Sequence, residues 1–515
     1  MSDALTIGGL VTRSARHRPE HLAVIASGER LTHHDLNLRV NRLANGMLAA
    51  GVQRGQRVAT LLPNCLELLD IYWAAAKIGA VAVPLSPMLL APGLASLLDD
   101  SEAVMLFTTG SLLGLARHAA ALAPRLSDCR VVLVDGAADG ASAYGELLAH
   151  GDAEPVLPSP VAPSDLYNIM YTSGTTGQPK GIMLSQEVRA MYALLCSSVF
   201  RIGPESVVLA TGSLVFNGAF VTMMGAFFAG ATYVVHGQFD AEALIDTVRR
   251  ERVTHIMLVP SQIIAVLASP RFAPEHLGSL QMILSLGAPL HSHHKDELQR
   301  LLPGRFHELY GLTEGFLTIL DKTDAARKAG SVGCAPPFMD MRIVREDGSI
   351  AAPGEIGEIV GRGPMLMDGY FKRPDLTAAA LVDGWLHTGD LGYVDDEGFL
   401  YLVDRKKDMI DSGGVKVYPR DIEELLVAHP AVLEVAVFGV PHEKWGETPL
   451  AAVVLKEPGA VDGVELKEWL NARVGARFQR VQEVVVLEAF PRNAAGKVLK
   501  RALREPYWAG RGTRI

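Results

Sequence analysis

The segment from Tyr171 to Gly181, YTSGTTGQPKG, contains the residue types that bind a chain of phosphates. Its three glycines let the backbone approach an anion closely, and its hydroxyl groups and single lysine can surround the negative oxygens. The segment differs from the common nucleotide-binding loop, because Lys180 follows Gly177 by three residues and comes after a proline. Such a segment by itself is also typical of a flexible linker, so its meaning depends on the rest of the chain.

Five further motifs follow this segment in order along the chain. They are LGAPL (286–290), YGLTEG (310–315), DGWLHTGD (383–390), VDRKKDMIDSGGVKVYP (403–419) and PRNAAGK (491–497). In this order and spacing, the six motifs strongly resemble those of the adenylate-forming superfamily, and within it the acyl-CoA synthetases. The resemblance extends from Gly51 to Lys497, which is nearly the whole chain.

The resemblance implies a ligase that activates a carboxylic acid with ATP. A carboxylate is a poor acylating agent, because its leaving group would be an oxide. Members of the family therefore form an acyl-AMP and pyrophosphate first, and a thiol, usually that of CoA, then displaces AMP. Catalysis rests mainly on positioning and on stabilising charge at phosphorus. The implied small molecules are a carboxylic acid, ATP, Mg²⁺ and CoA.

The resemblance also assigns roles to residues around the nucleotide. Thr313 and Glu314 match the pair that contacts the α-phosphate and holds Mg²⁺, for which a hard carboxylate is a suitable ligand. Asp390 matches the carboxylate that binds the ribose hydroxyls, and Arg405 a second ribose and phosphate contact. Glu308 is expected to accept from the adenine amine. The full set matched to ATP and AMP is Thr172, Ser173, Gly174, Thr175, Thr176, Gly177, Lys180, Gly287, Ala288, Pro289, Glu308, Leu309, Tyr310, Gly311, Thr313, Glu314, Asp390 and Arg405.

Lys497 matches the adenylation lysine, whose ammonium neutralises charge between the attacking carboxylate and the α-phosphate. With Lys180, Thr313 and Glu314 it makes up the expected catalytic set. Its sequence context also resembles the acetylation site of bacterial members. A lysine acetyltransferase is therefore an expected partner, since acetylation would remove the charge and stop adenylation.

The second half-reaction implies a moving C-terminal domain. In the resembling family this domain rotates between two poses, and Lys407 matches the hinge position. The residues expected near CoA in the second pose are Ser412, Gly413, Gly414 and Gly446.

The positions matched to the acid pocket are mostly apolar and include no base. They are Phe216, Asn217, Phe220, Leu286, Phe316 and Leu317, next to Gly287, Leu309, Tyr310 and Gly311 of the nucleotide set. A dicarboxylate would leave its second charge unpaired there, so we expect a hydrophobic monocarboxylic acid, either aromatic or medium- to long-chain aliphatic. Amino-acid-activating relatives have Asp where this chain has Asn217, which argues against an amino acid.

Two departures from the family pattern leave the identity of the acid open. Gln186 and Asn217 stand at or near positions where many relatives have histidine. Three functional alternatives also stay open: a carrier-protein acceptor in place of CoA, a luciferase-like oxidation, and a non-catalytic nucleotide-binding relative.

The elements around these motifs predict an α/β protein. Strand-like and helix-like segments alternate between residues 207 and 309, which indicates parallel-rich sheets covered by helices. Beyond Ile343, short strands and turns indicate a small β subdomain. A small, mobile α+β domain is expected after the charged segment that begins at Arg405. The predicted domains are residues 1–404, with the AMP and acid sites, and 405–515, with the adenylation lysine.

Composition restricts the partners and the compartment. The net charge is −9 without a basic block, so nucleic acid is not an expected partner. The four cysteines form no CxxC pair, and the first residues lack an apolar signal sequence, so a cytoplasmic location is expected. Residues 206–235 are uncharged and long enough to span a bilayer, but glycines interrupt them. We interpret them as strand, loop, buried helix and strand rather than a membrane span. The oligomeric state is left open, with a homodimer as one option.

Overall fold

The computed structural model describes residues 5–123, 129–172, 180–413, 415–492 and 498–509. The chain divides into two compact units. The first consists of Met1–Asp340 and Gly361–Leu386, and the second of Met341–Val360 and His387–Ile515. The junction expected near residue 405 falls inside the second unit. The boundary between a 1–404 and a mobile 405–515 domain stays a prediction.

Helices and strands alternate along most of the described chain. The helices are α1 Gly9–His17, α2 His33–Ala49, α3 Leu66–Ile78, α4 Ala91–Ser101, α5 Leu113–Leu122, α6 Tyr144–Leu148, α7 Gln186–Phe200, α8 Asn217–Ala229, α9 Ala241–Glu251, α10 Pro260–Leu267, α11 Ser292–Leu301, α12 Pro374–Ala380, α13 Pro419–Val427, α14 Gly463–Asn471 and α15 Lys500–Trp508. The strands are β1 Leu22–Ala26, β2 Glu29–Thr32, β3 Arg57–Leu61, β4 Val81–Leu85, β5 Ala103–Thr108, β6 Arg130–Leu133, β7 Ser142–Ala143, β8 Leu166–Thr172, β9 Lys180–Ser185, β10 Val207–Ala210, β11 Thr232–Val235, β12 His255–Leu258, β13 Met282–Leu286, β14 Phe306–Gly311, β15 Leu317–Leu320, β16 Asp340–Val344, β17 Gly357–Arg362, β18 Gly369–Tyr370, β19 Leu381–Val382, β20 Trp385–Val394, β21 Leu400–Arg405, β22 Ile410–Ser412, β23 Val415–Val417, β24 Val432–His442, β25 Gly446–Leu455 and β26 Val484–Leu487.

Two eight-stranded sheets form the first unit. One has the strand order β15-β14-β13-β12-β10-β11-β1-β2, and the other β18-β9-β8-β4-β3-β5-β6-β7. In the first of these sheets the six inner strands are parallel, and β15 and β2 run antiparallel at its edges. Strands such as β11 and β12 are buried throughout, as expected for parallel strands that are covered on both faces.

The second unit is richer in antiparallel pairs. A five-stranded sheet, in the order β16-β17-β20-β19 with β21 beside β20, contributes most of its residues to this unit. A second five-stranded sheet, β23-β22-β25-β24 with β26 beside β25, packs its buried residues against α13 and α14. The expected fold class, an α/β protein with parallel-rich sheets and a small C-terminal α+β part, is confirmed.

The uncharged stretch 206–235 folds as the sequence predicts, into β10, α8 and β11. Helix α8 has 13 residues, so it is about 20 Å long and shorter than the apolar core of a bilayer. Within the described ranges, no helix has both the length and the apolarity that a membrane crossing requires.

A buried ion-pair network joins three helices of the first unit. Asp70 on α3 is fully buried; Arg39 on α2 donates to its Oδ2 at 2.5 Å, and Tyr144 on α6 donates to the same oxygen at 2.8 Å. Burial raises the pKa of Asp70 to about 6, although the guanidinium of Arg39 counteracts the increase. Arg39 therefore keeps a carboxylate ionised in a place where its charge would otherwise be costly.

We predict that Arg39→Met destabilises the protein, and more strongly at pH 8 than at pH 5. Without the guanidinium, the pKa of Asp70 in the folded state rises further above its unfolded value. Stability is then lost as pH increases through this range, up to about 3 to 5 kcal/mol for a broken buried pair. Thermal unfolding at both pH values measures the loss.

Arg42→Met is the matched control, because Arg42 lies on the same helix and pairs with Asp152 at the surface. Its cost should stay below about 1 kcal/mol at either pH. A similar loss for the two variants, or a pH-independent loss for Arg39→Met, would contradict this account of Asp70.

Candidate functional site

Two neighbouring parallel strands bring together the segments expected to contact adenine. β13 and β14 pair with Leu286 opposite Leu309 and Ser285 opposite Glu308. Both strands therefore end at the same edge of the sheet. The segment Gly287–Pro289 directly follows β13, while Tyr310 and Gly311 complete β14. Such an edge is where open α/β sheets bind ligands.

Glu308 already has a strong partner in the fold. Its Oε2 accepts from Lys295 Nζ at 2.5 Å, and both residues are buried. Lys295 lies on α11, which follows the LGAPL motif. The sequence did not indicate this pair, because Lys295 lies outside the six motifs. The ion pair fixes the Glu308 carboxylate beside the end of β14.

A second group forms around Glu314, in the turn between β14 and β15. Tyr370 on β18 donates its hydroxyl to Glu314 Oε1 at 2.8 Å. Lys180, the first residue of β9, has its ammonium 4.9 Å from the centroid of the Tyr370 ring. Two residues predicted for phosphate and metal chemistry thus contact the same tyrosine. Tyr370 was missed because no motif contains it; its contact depends on the antiparallel pairing of β18 with β9.

The electrostatics of this group follow from the buried phenol. Burial raises the pKa of Tyr370 well above its usual value, and the charge of Glu314 adds to the increase. The phenol therefore stays protonated near neutral pH and acts as a donor to Glu314. A carboxylate held by one donor keeps its remaining lone pairs for another ligand.

Gly315 allows the chain to turn tightly after Glu314. Its φ is +102°, and a Cβ built there would lie 1.9 Å from the carbonyl oxygen of Met365. The adjacent backbone also bonds to that segment, since Met367 N donates to the Glu314 carbonyl at 2.8 Å. Only glycine fits this conformation and this distance.

The expected acid-pocket residues divide into two groups. The start of α8 lies at the same sheet edge as LGAPL, because a Cβ at Gly218 would be 3.0 Å from Leu286 Cδ1. Phe216 is the N-cap of this helix and Asn217 its first residue, and both are partly exposed. The first group is therefore Phe216, Asn217 and Leu286. The second group, Phe220, Phe316 and Leu317, is buried in the core.

The two departures from the family pattern have different surroundings. Gln186 is buried and ties the N-terminal segment to the core: its Oε1 accepts from Ile7 N at 3.0 Å, and its Nε2 donates to the Ala76 carbonyl at 3.3 Å. Asn217 instead donates from Nδ2 to the hydroxyl of Tyr192 at 3.3 Å. Gln186 is therefore explained by packing, whereas Asn217 is one of the residues expected to line the acid pocket.

In the second unit, the two expected ribose contacts face each other across a hairpin. Asp390 on β20 pairs in register with Arg405 on β21, and Arg405 Nε lies 3.4 Å from Asp390 Oδ1. Lys407 follows two residues later, and burial lowers its pKa. The guanidinium and carboxylate therefore come from paired strands rather than from a loop.

The residues expected near CoA also meet within the second unit. Ser412 pairs with Gly446 between β22 and β25, and Gly413 N donates to the Trp445 carbonyl at 2.7 Å. Gly413 has a φ of +66°, and a Cβ there would lie 2.7 Å from the Trp445 ring. The glycine thus lets the backbone at the end of β22 lie against the tryptophan.

Several expected site residues lie outside the described ranges, so their placement stays a prediction. They are Ser173, Gly174, Thr175, Thr176, Gly177, Gly414 and Lys497. Thr172 and Lys180 lie on either side of the segment that contains Ser173 to Gly177, and they pair with each other at the end of the β8–β9 ladder. In the part of the chain that is described, no group of three or more His, Cys, Asp or Glu side chains converges on a metal position. One carboxylate such as Glu314 fits Mg²⁺, which commonly takes its other ligands from phosphates and water.

We predict that Gly315→Ala destabilises the protein by more than about 2 kcal/mol, because both the backbone conformation and the Met365 carbonyl oppose a side chain. Gly304→Ala is the matched control: its φ is +69° and a Cβ there meets nothing within 4 Å. It should cost about 1 to 2 kcal/mol from the left-handed conformation alone. Thermal unfolding measures both, and equal losses would disprove the close approach.

Comparison with known proteins adds an independent result. The family profile described as AMP-binding enzyme matches residues 11–371, and that of the AMP-binding enzyme C-terminal domain matches residues 421–497. A feruloyl-CoA synthase of an Amycolatopsis species is 38% identical over 507 residues, which cover 97% of this chain and 99% of that protein. An indoleacetate–CoA ligase of Aromatoleum aromaticum is 37% identical, with coverage of 96% and 97%. The crystal structure of ATP-bound MatB from Rhodopseudomonas palustris has a TM-score of 0.88 at 31% identity, covering 98% and 99% of the two chains.

These matches extend over nearly the whole chain rather than over one motif. They agree with the six motifs in their order and with the fold built from them, so the expected resemblance is confirmed. The chain belongs to the AMP-binding enzyme family and, within it, to the acyl-CoA synthetases of the adenylate-forming superfamily, which are acid–thiol ligases.

Proposed function

We propose that this chain couples ATP to the formation of a CoA thioester from a largely apolar monocarboxylic acid. The acid is aromatic or medium- to long-chain aliphatic, and an acyl-AMP is the intermediate. AMP and pyrophosphate are the other products. The names of the feruloyl-CoA and indoleacetate relatives support the inclusion of aromatic acids.

The observation that carries this proposal is the group of Lys180, Tyr370 and Glu314. It combines one ammonium and one oriented carboxylate at the ends of β9 and β14. A triphosphate needs a cation near its oxygens, and Mg²⁺ needs a carboxylate near the same oxygens. Glu314 would hold Mg²⁺, which would neutralise phosphate charge, and Thr313 would contact the α-phosphate.

The remaining roles follow the family assignment. Gly287–Pro289 and Tyr310 would flank adenine, with Glu308, oriented by Lys295, near its amine. Asp390 and Arg405 would contact the ribose and a phosphate. Lys497 would act in adenylation, Lys407 would serve as the hinge, and Ser412, Gly413, Gly414 and Gly446 would lie along the path of CoA. Acetylation of Lys497 by an acetyltransferase would then switch off the first half-reaction only.

ATP–pyrophosphate exchange with Mg²⁺ tests the proposal directly. The acids are benzoates, cinnamates and fatty acids of graded length, because exchange reports adenylation without requiring CoA. If only one class of acid supports exchange, the result would support adenylation by this chain and would also identify the class of acid that it uses. Folded protein that binds ATP but shows no exchange with any acid would overturn the proposal.

We predict that Lys497→Ala lowers exchange about a hundredfold or more, as expected when a preorganised charge at the reacting centre is removed. The same variant should convert supplied acyl-AMP and CoA to the thioester within a few-fold of the wild-type rate. The exposed Lys456 provides the matched control Lys456→Ala, for which both half-reactions should be unchanged. Equal loss of both half-reactions in Lys497→Ala would refute its assignment to adenylation.

We predict that Tyr370→Phe lowers the exchange rate about tenfold, since a hydrogen bond to a charged carboxylate is lost while the ring beside Lys180 is kept. Steady-state exchange at saturating acid measures the effect. Tyr393→Phe is the control, because that tyrosine stacks on Tyr401 in the second unit. An unchanged rate in Tyr370→Phe would show that its hydroxyl does not orient Glu314 for the reaction.

A further inference from the structure

Helix α7 buries an arginine that forms no ion pair with any residue the structure describes. The side chain of Arg189 has no solvent exposure, and its Nε donates to Asn168 Oδ1 on β8 at 3.2 Å. Within the described part of the chain, neither of its terminal nitrogens has a hydrogen-bond partner. A guanidinium stays charged at any physiological pH and offers four N–H donors from these two nitrogens.

Two aromatic rings hold this guanidinium in place. Its central carbon lies 4.2 Å from the centroid of the Phe220 ring on α8 and 4.8 Å from that of Tyr192, one turn along α7. The rings cover the faces of the guanidinium but do not satisfy the donors at its edge. The titratable groups that interact with it are Tyr192, Tyr167, Tyr72 and Cys196, which are all uncharged near neutral pH.

Other buried polar atoms around Arg189 are also unsatisfied. Among the described residues, Tyr167 Oη, Asn168 Nδ2 and Asn217 Oδ1 have no hydrogen-bond partner. We call Tyr167, Asn168, Arg189, Tyr192 and Asn217 the Arg189 cluster. Native proteins rarely leave one such atom unpaired, so a cluster of them is a polar site that accepts either ordered water or the polar group of a ligand.

The Arg189 cluster lies beside the expected acid pocket. Asn217 belongs to both, and Phe220, which covers the guanidinium, was matched to the pocket from the sequence. Burial raises the pKa of Tyr192, and the carboxylate of Glu314 contributes to that increase, so the cluster and the expected phosphate site interact electrostatically. The sequence segments matched to the pocket contain no basic residue, but the folded chain places the basic Arg189 next to them. Arg189 lies on α7, outside those segments.

Resting on the acid–CoA ligase function proposed above, we propose that Arg189 binds an oxygen acceptor on the acid, at the end remote from the carboxylate that is activated. The acid is then an oxygen-substituted one. A neutral oxygen such as a phenol keeps it a monocarboxylic acid, as proposed above, whereas a second carboxylate would replace that part of the proposed function and leave the ligase chemistry unchanged. Both accept from the unpaired N–H groups, and a carboxylate also neutralises the charge. A site built to bind such an oxygen discriminates against acids that lack it, because its own donors would stay unpaired.

Exchange kinetics with matched acids test this inference. Benzoate and cinnamate are each compared as the unsubstituted, 4-hydroxy and 4-carboxy compounds, with wild type and Arg189→Met. Wild type should prefer an oxygen-substituted acid at least tenfold in kcat/KM, and Arg189→Met should lose that preference. Preference for the 4-hydroxy acid would identify a neutral oxygen, and preference for the 4-carboxy acid a carboxylate. Equal ratios of kcat/KM in the two proteins would overturn the inference.

Two further variants separate recognition from folding. Arg189→Lys keeps the charge and should keep part of the preference, even if Arg189→Met folds poorly. Leu195→Ala removes a buried side chain of the same helix that is not among the groups interacting with Arg189, and it should leave the acid preference unchanged. An altered preference in Leu195→Ala would assign the effect to packing and refute the role of Arg189.

A binding measurement distinguishes this inference from the proposed function. Thermal shift is recorded with the same six acids and without ATP. If only the oxygen-substituted acids stabilise wild type, and they do not stabilise Arg189→Met, the inference is supported. This holds even if no acid gives exchange; in that case only the proposed ligase activity is refuted. If exchange shows no preference for oxygen-substituted acids, and wild type and Arg189→Met give identical thermal shifts, the ligase function is retained and the role of Arg189 is rejected.

Discussion

The candidate site depends on the parallel pairing of β10, β12, β13 and β14. Parallel strands end at the same edge of a sheet, so segments that are about one hundred residues apart in sequence follow each other in space. The start of α8, the LGAPL segment and the end of β14 meet there for this reason. A slip of one residue between β13 and β14 would turn the side chain of Glu308 to the opposite face and separate it from Lys295.

Three buried charges in the first unit are stabilised in two different ways. Asp70 is paired with Arg39 within the fold, and Glu308 is paired with Lys295. Arg189 contacts the faces of two aromatic rings and donates one hydrogen bond to an amide oxygen, but no carboxylate bonds to it in the described structure. The first two arrangements satisfy charge internally, which suits a scaffold. The third leaves much of the desolvation cost of a cation uncompensated among the described residues, which favours a site where a ligand provides an acceptor.

Local sequence predicted the elements well and the contacts between them poorly. The alternation of strands and helices expected between residues 207 and 309 is present as β10 to β14 with α8 to α11 between them. The ladder between β24 and β25 continues through Gly439 and Pro441 to His442 opposite Gly446, although glycine and proline are uncommon inside strands. Tyr370 lies 56 residues from Glu314 in sequence, and Arg189 becomes part of a pocket only when α7 packs on α8. Such contacts depend on sheet register and helix packing, which the sequence of one segment does not contain.

The position of β1 has a consequence for synthesis of the protein. β1 pairs in parallel with β11, Val24 opposite Tyr233, so its partner is made about two hundred residues later. At roughly 5 to 20 residues per second, the N-terminal strand waits on the order of 10 to 40 s before it can enter its sheet. During this time the β1–β2 hairpin exposes an unpaired edge, a known template for aggregation. Translation speed and chaperone access, rather than the stability of the finished fold, then determine how much of the first sheet forms correctly.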